Sequence, residues 1–113
     1  MQEPRDAAPA TRDMTRSPKV LVQTADVRIV EYTLKPGDSH PWHHHTEVTD
    51  RVYCLEGLIA VDIRQPAERR VLRPGDSSEV APRTVHHVSN AGDGTSRYLL
   101  VQALGRYDYI RAD

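Results

Sequence analysis

A chain of 113 residues with a formal charge of −1, its acidic and basic side chains interspersed, has the size of one ordinary domain. It carries no single-sign patch to draw in nucleic acid or an anionic membrane. The lone Cys54 excludes an internal disulfide, no apolar run approaches the ~20 residues of a membrane span, and the first residues lack the layout of a secretory signal, so a cytoplasmic location is expected.

The stretch Met1 to Pro18 is rich in Pro, Ala, Arg and Asp and has no apolar period. A disordered, flexible N-terminal tail is expected there, which leaves residues 19–113 as one domain. Those ~95 residues can bury roughly two-thirds of the surface that their unfolded chain exposes. With no Phe, one Trp and five Tyr, the core must come mainly from Val, Leu, Ile and Ala, and β-branched content favours strands.

From Lys19 onward the chain runs in short alternating segments punctuated by Gly, Pro, Asp and Asn, an all-β pattern. Strands are expected near Val20 to Gln23, Val27 to Leu34, His40 to His45, Asp50 to Leu55, Leu58 to Arg64, Arg70 to Leu72, Ser77 to Ala81, Val85 to Ser89 and Arg97 to Leu104. Two turn segments repeat, Leu34-Lys35-Pro36-Gly37-Asp38-Ser39 and Leu72-Arg73-Pro74-Gly75-Asp76-Ser77. Proline presets the first central φ of a type II turn and glycine supplies the positive φ that follows. A histidine-bearing strand comes after each repeat, so the two halves of one sandwich or small closed barrel are expected to be built alike. Glu56-Gly57 is expected to close a tight hairpin between Asp50–Leu55 and Leu58–Arg64, and residues 90–94 read as a loop.

All six histidines fall in two clusters, His40, His43, His44 and His45, then His86 and His87. Alternate residues of a strand share a face, so His43 and His45 can point together while His44 points away. Asp50 starts the strand expected to pair back on them and can add an anionic oxygen; His86 opens the corresponding strand of the second half. Three imidazoles and a carboxylate make a mixed N/O set suited to divalent iron, manganese, nickel, copper or zinc.

These residues are where the chain resembles the cupin superfamily, whose motifs are usually written G-x5-H-x-H-x3,4-E-x6-G and G-x5-P-x-G-x2-H-x3-N. The first runs as Gly37-x5-His43-x-His45-x4-Asp50-x6-Gly57, with aspartate in place of glutamate. The second runs as Gly75-x5-Ala81-Pro82-Arg83-x2-His86-x3-Asn90, with Ala81 and Arg83 in place of the usual Pro and Gly. The resemblance implies a single antiparallel, jelly-roll-like β-barrel, commonly a homodimer, with His43, His45, Asp50 and His86 as metal ligands. Glu47 is the alternative carboxylate, but it puts Gly57 out of register. His87 is the alternative imidazole, but His86 shares the parity of Asn90.

Around this set, His44 is expected to face outward and His40 to lie behind the ligands or at the mouth. Trp42 is expected at the rim or on the outer sheet, and Cys54 as a small buried hydrophobe. In the last long strand, either Tyr98, Leu100 and Gln102 or Arg97, Leu99 and Val101 face inward. Residues 107–110 alternate in a way that suits a segment over the barrel mouth, over a partner subunit, or an uninvolved tail.

A six-coordinate ion held by four side chains leaves about two positions open. The resemblance implies dioxygenases, isomerases, lyases and sugar-modifying enzymes, along with binding and storage proteins, and fold alone does not choose among them. The expectation is an oxidoreductase of the dioxygenase type, using Fe(II) or Mn(II), or else Zn, Ni or Cu, on a small oxygenated or carboxylated molecule. The alternatives are a non-catalytic metal-anchored binding or sensory module, a metal-dependent isomerase or lyase, and a metal-free structural dimer. No catalytic residue beyond the ligand set is assigned. No nucleophilic triad and no glycine-rich phosphate cradle is visible.

Overall fold

The two repeated turns shape the two halves of the molecule, which is known from a computed structural model describing residues 12–13, 18–103 and 105–112. In the first, Asp38 N donates to the Lys35 carbonyl at 2.9 Å and Gly37 takes a φ of 89°; in the second, Asp76 N donates to Arg73 at 2.8 Å and Gly75 takes 94°. Each turn is closed again by its aspartate, whose Oδ2 accepts the N–H of Lys35 or Arg73 at 2.9 Å. Two six-residue segments that differ only in Lys35 against Arg73 thus give one geometry, as the type II reading requires.

Between the turns the chain forms strands and no helix among the described residues. In order they are β1 (Arg12–Asp13), β2 (Lys19–Gln23), β3 (Val27–Leu34), β4 (Asp38–Ser39), β5 (His43–His44), β6 (Thr49–Glu56), β7 (Ile59–Ile63), β8 (Glu68–Leu72), β9 (Ser77–Val80), β10 (His86–Asn90), β11 (Ser96–Ala103) and β12 (Ile110–Arg111). One sheet runs β2-β3-β11-β6-β9. The other is centred on β10, with β4 and β5 along one edge and β7, then β8, along the other; β1 lies beside β4 and β12 beside β5. Every pairing is antiparallel except β1 with β4.

The facing surfaces of the two sheets make the core. Val30, Tyr32 and Leu34 point in from β3, Val52 and Cys54 from β6, Ile59, Val61 and Ile63 from β7, and Tyr98 and Leu100 from β11. This settles the open parity of the last long strand in favour of Tyr98, Leu100 and Gln102. Cys54 is buried among these residues, as a small hydrophobe would be.

Of the histidine strand expected over His40 to His45 only β5, His43–His44, forms, and β4 ends just before it at Ser39. Pro41 has no N–H to give to a ladder, and it interrupts the strand. The strand is still tied to β10 across the gap, where His40 N donates to the Val88 carbonyl at 2.9 Å. Strand β12 was not expected at all, and the hairpin expected at Glu56-Gly57 does not form: Gly57 turns the chain from β6, paired with β9 and β11, into β7, paired with β8 and β10 in the other sheet. Of the expected N-terminal tail, Arg12–Asp13 lies along β4; residues 1–11 and 14–17 lie outside the described residues.

Candidate metal centre

Register brings the centre together. β10 crosses β5 with His86 opposite His43, and β6 lies beside β11 with Asp50 opposite Gln102. His45, just past β5, is fixed by the Arg83 N–H, which donates to its carbonyl at 2.7 Å. As a result one ligand atom from each of His43, His45, Asp50 and His86 lies within 4.8 Å of the others, and all four residues are buried.

The second ring nitrogens decide what these imidazoles present. His43 Nδ1 donates to the Pro41 carbonyl at 2.8 Å, His86 Nδ1 to Thr84 at 2.7 Å, and His45 Nδ1 to Asp108. A backbone carbonyl only accepts, so each Nδ1 carries a proton and each Nε2 turns toward the centre, offering it a lone pair when the ring is neutral. Two of those nitrogens meet the same carboxylate oxygen: Asp50 Oδ2 lies 2.9 Å from His86 Nε2 and 3.2 Å from His45 Nε2. Lone pairs facing an anionic oxygen repel unless a proton or cation lies between them. Three such nitrogens and one carboxylate oxygen are the donor set of a divalent transition ion, with the backbone carbonyls fixing the rings from behind.

The electrostatics agree. Burial, then the neighbouring His86, lowers the His43 pKa to about 3, so that ring is neutral and able to ligate at physiological pH. Burial works against the Asp50 charge, yet hydrogen bonds from His45 and His86 outweigh it and hold the carboxyl below the usual range. His45 is moved the other way: its contact with Asp50 overcomes burial and raises its pKa.

Behind the ligands lies a polar row that the sequence reading left unassigned. Gln102 Nε2 donates to Asp50 Oδ1 at 2.8 Å and also lies 3.3 Å from His45 Nε2, and Arg28 Nη1 donates to Gln102 Oε1 at 2.9 Å. A glutamine at an inward position of the last long strand was the signal for it. The C-terminal segment closes the mouth: Tyr109 stacks on the His43 ring at 4.3 Å and Tyr107 lies 5.5 Å from His45. Asp108 anchors the segment, accepting the Thr46 N–H at 2.8 Å and the Thr46 hydroxyl. Of the three placements left open for residues 107–110, the structure shows the one over the mouth. The small cavity here is also lined by Tyr32, His40 and Tyr98 and measures ≈ 20 Å³.

The competing residues lie elsewhere. Glu47 is exposed and accepts the Arg106 N–H at 3.0 Å. His87 is on the outer face, 3.2 Å from Asp62 and packed on Trp42 at 4.2 Å, with Arg64 over the indole at 4.9 Å. His40 is buried edge-on against Tyr32, while His44, expected outward, is half-buried. Asn90, which ends the second motif, is a clamp and not part of the centre. Its amide donates to Leu34 and Gly94, and its oxygen accepts from Gly92 N and Ser96 Oγ.

Comparison with known proteins gives the same picture. The family model for the cupin domain matches residues 30–102. A double-stranded β-helix protein from Klebsiella pneumoniae shares the fold with a TM-score of 0.74 at 22% identity, over 98% of this chain and 99% of that one. The protein TT1209 of Thermus thermophilus aligns with a TM-score of 0.70 at 25% identity, over 77% of this chain and 81% of that one. An oxalate oxidase gives 0.69 at 18% identity, and the match spans 77% of this chain but only 46% of the oxidase. The sequence comparison with curated proteins returned no match. With both motifs in register, two facing antiparallel sheets and a family match across about two-thirds of its length, this chain belongs to the cupin domain family.

Proposed function

We propose that this chain is a metal-dependent oxidoreductase of the dioxygenase type, acting at an Fe(II) or Mn(II) ion on a small oxygenated or carboxylated organic molecule. One observation carries the reading: three Nε2 lone pairs and Asp50 Oδ2 converge in a buried site with every Nδ1 committed to a backbone carbonyl. His43, His45 and His86 through Nε2 and Asp50 through Oδ2 would hold the ion, which when bound supplies Lewis acidity and about two open positions.

The chain's own groups would do the rest. The Arg28 guanidinium lines the cavity and offers a cation for a substrate carboxylate. Tyr32 and Tyr98, whose pKa values are raised chiefly by burial, keep their phenol protons and can donate to a bound oxygen atom. Tyr107 and Tyr109 keep water from the mouth. Oxalate oxidases are among the similar solved structures, one of them in complex with the substrate analogue glycolate. At 18% identity they support the fold alone, so the substrate class rests on Arg28 and the cavity.

The test is anaerobic loading with Fe(II) or Mn(II), followed by oxygen uptake with small carboxylic acids, catechols, diketones and thiols. Uptake that is lost in His86→Ala supports the reading. Failure to bind any divalent ion overturns it. A second reading, a metal-anchored binding or sensory module, is favoured by the size of the cavity, which holds about one water. Tight, metal-dependent ligand binding without turnover would select it.

The proposal includes a cytoplasmic homodimer; among the described residues no helix is long and apolar enough to cross a membrane. Edge strand β2 leaves Val20, Leu21 and Val22 between 42% and 49% exposed, apolar surface that a second copy could cover. Light scattering on Leu21→Lys tests this, a shift from dimer to monomer being the expected result.

A further inference from the structure

Arg28, Gln102 and Asp50 form one row across three strands. Arg28 on β3 is directly opposite Gln102 on β11, and Gln102 is directly opposite Asp50 on β6. The direction of the hydrogen bonds along this row is forced by chemistry. A guanidinium only donates, so the glutamine oxygen must turn toward Arg28. The amide nitrogen must then turn toward Asp50, which as a carboxylate only accepts. Gln102 is 1% and Asp50 2% exposed, so neither group can exchange its partner for bulk water.

The row treats the two carboxylate oxygens differently. Oδ1 takes the Gln102 amide at 2.8 Å, while Oδ2 faces His45 and His86. We propose that Gln102, oriented by Arg28, is a positioning residue that keeps Asp50 a one-oxygen metal ligand and so preserves an open coordination position for the small molecule. This rests on the metal-dependent reading above. It also accounts for the aspartate standing where the family motif has glutamate. The shorter carboxylate has fewer torsions, and an amide across the ladder holds one of its oxygens away from the ion. The amide nitrogen also lies 3.3 Å from His45 Nε2, a contact that a bound cation would replace.

The alternative is that the row is only structural, filling a polar gap between β3, β11 and β6. The two are separated by titrating Co(II) into the metal-free full chain and into Gln102→Met and Arg28→Met, following the visible d–d absorption and using thermal unfolding to check the fold. Gln102→Met keeps length and volume but removes the donor; Arg28→Met leaves the glutamine but removes what orients it. Removing a group that hydrogen-bonds a ligand typically weakens metal affinity about 10–100-fold. The expected result is one Co(II) per chain in the parent, affinity lower by that factor in both variants, and a weaker absorption band as Asp50 gains a second bond to the ion. The double variant should lose no more than the worse single one, because Arg28 acts through Gln102.

Unchanged affinity and spectrum in both variants would overturn the positioning role while leaving the metal site standing. No Co(II) binding by the parent would overturn both. Should Gln102→Met fail to fold, Arg28→Met carries the test by the same two readouts.

Discussion

Arg83 stands where the second family motif has glycine, and it keeps glycine's backbone, with a φ of 63°. The left-handed region costs an ordinary side chain about 1–2 kcal/mol, because Cβ crowds the following carbonyl. The side chain recovers none of this among the described residues: it is exposed and takes part in no ion pair or hydrogen bond there. The position matters because Arg83 N donates to the His45 carbonyl at 2.7 Å, and the next residue supplies the carbonyl that fixes His86 Nδ1. Replacing Arg83 with glycine removes the strain. It also gives the unfolded chain more freedom, which takes back about 0.5–1 kcal/mol. The net expectation is a gain of about 0.5–1 kcal/mol, or roughly 2–8 °C in Tm for a domain of this size. Urea unfolding of R83G beside the parent measures it, with an unchanged slope and a higher midpoint expected. An unchanged or lower midpoint would refute the argument that this turn carries backbone strain. Arg83→Val supplies the opposite sign, since a β-branched residue tolerates positive φ least.

Three further outcomes follow from the same structure. Gly57→Ala would place a Cβ 2.2 Å from Ser96 Oγ and 2.8 Å from the Thr95 carbonyl at a φ of 78°, so calorimetry should show a loss of about 2 kcal/mol or more. Asn90→Ala removes hydrogen bonds to Leu34, Gly94, Gly92 and Ser96 and should cost about 1–3 kcal/mol in the same assay, leaving metal stoichiometry unchanged. In the metal-free protein, the unfolded chain protonates His43 near pH 6.5 whereas the folded one resists until about 3. Its contribution is therefore present above about pH 6.5 and lost as pH falls through that window. The lowered Asp50 pKa adds a further loss at still lower pH, below the 3.8 of an unfolded aspartate, while the raised His45 pKa works the other way, its share fading as pH rises above 6.5. Urea midpoints measured from pH 7 down to 4 should fall for the parent and fall less steeply for His43→Asn.

The parts of this molecule that the sequence made legible are those written in local chemistry. A Pro-Gly pair fixes a turn by itself, so Gly37 and Gly75 could be assigned a positive φ from two letters each. Strand parity chose His86 over His87 and set Trp42 apart from His43 and His45. What escaped was set by pairing between distant strands. Gln102 could be assigned to either face until β11 was seen between β3 and β6, and Arg28 gains its role only from being opposite it. Strand β12 forms because Asp108 is caught by Thr46, and the backbone of residues 110–111 then runs beside β5. No two-residue segment announces that by its own pattern. The break before β5 was readable in principle, because Pro41 cannot donate to a ladder.

The most direct test of the central claim is a crystal of the metal-loaded protein measured for anomalous scattering at the absorption edge of the ion. One peak per chain is predicted, roughly 2.0–2.2 Å from Nε2 of His43, His45 and His86 and from Oδ2 of Asp50, with Asp50 Oδ1 still accepting the Gln102 amide. A peak bound through Nδ1, a peak that leaves out two or more of these residues, or no peak at the site after loading would contradict it.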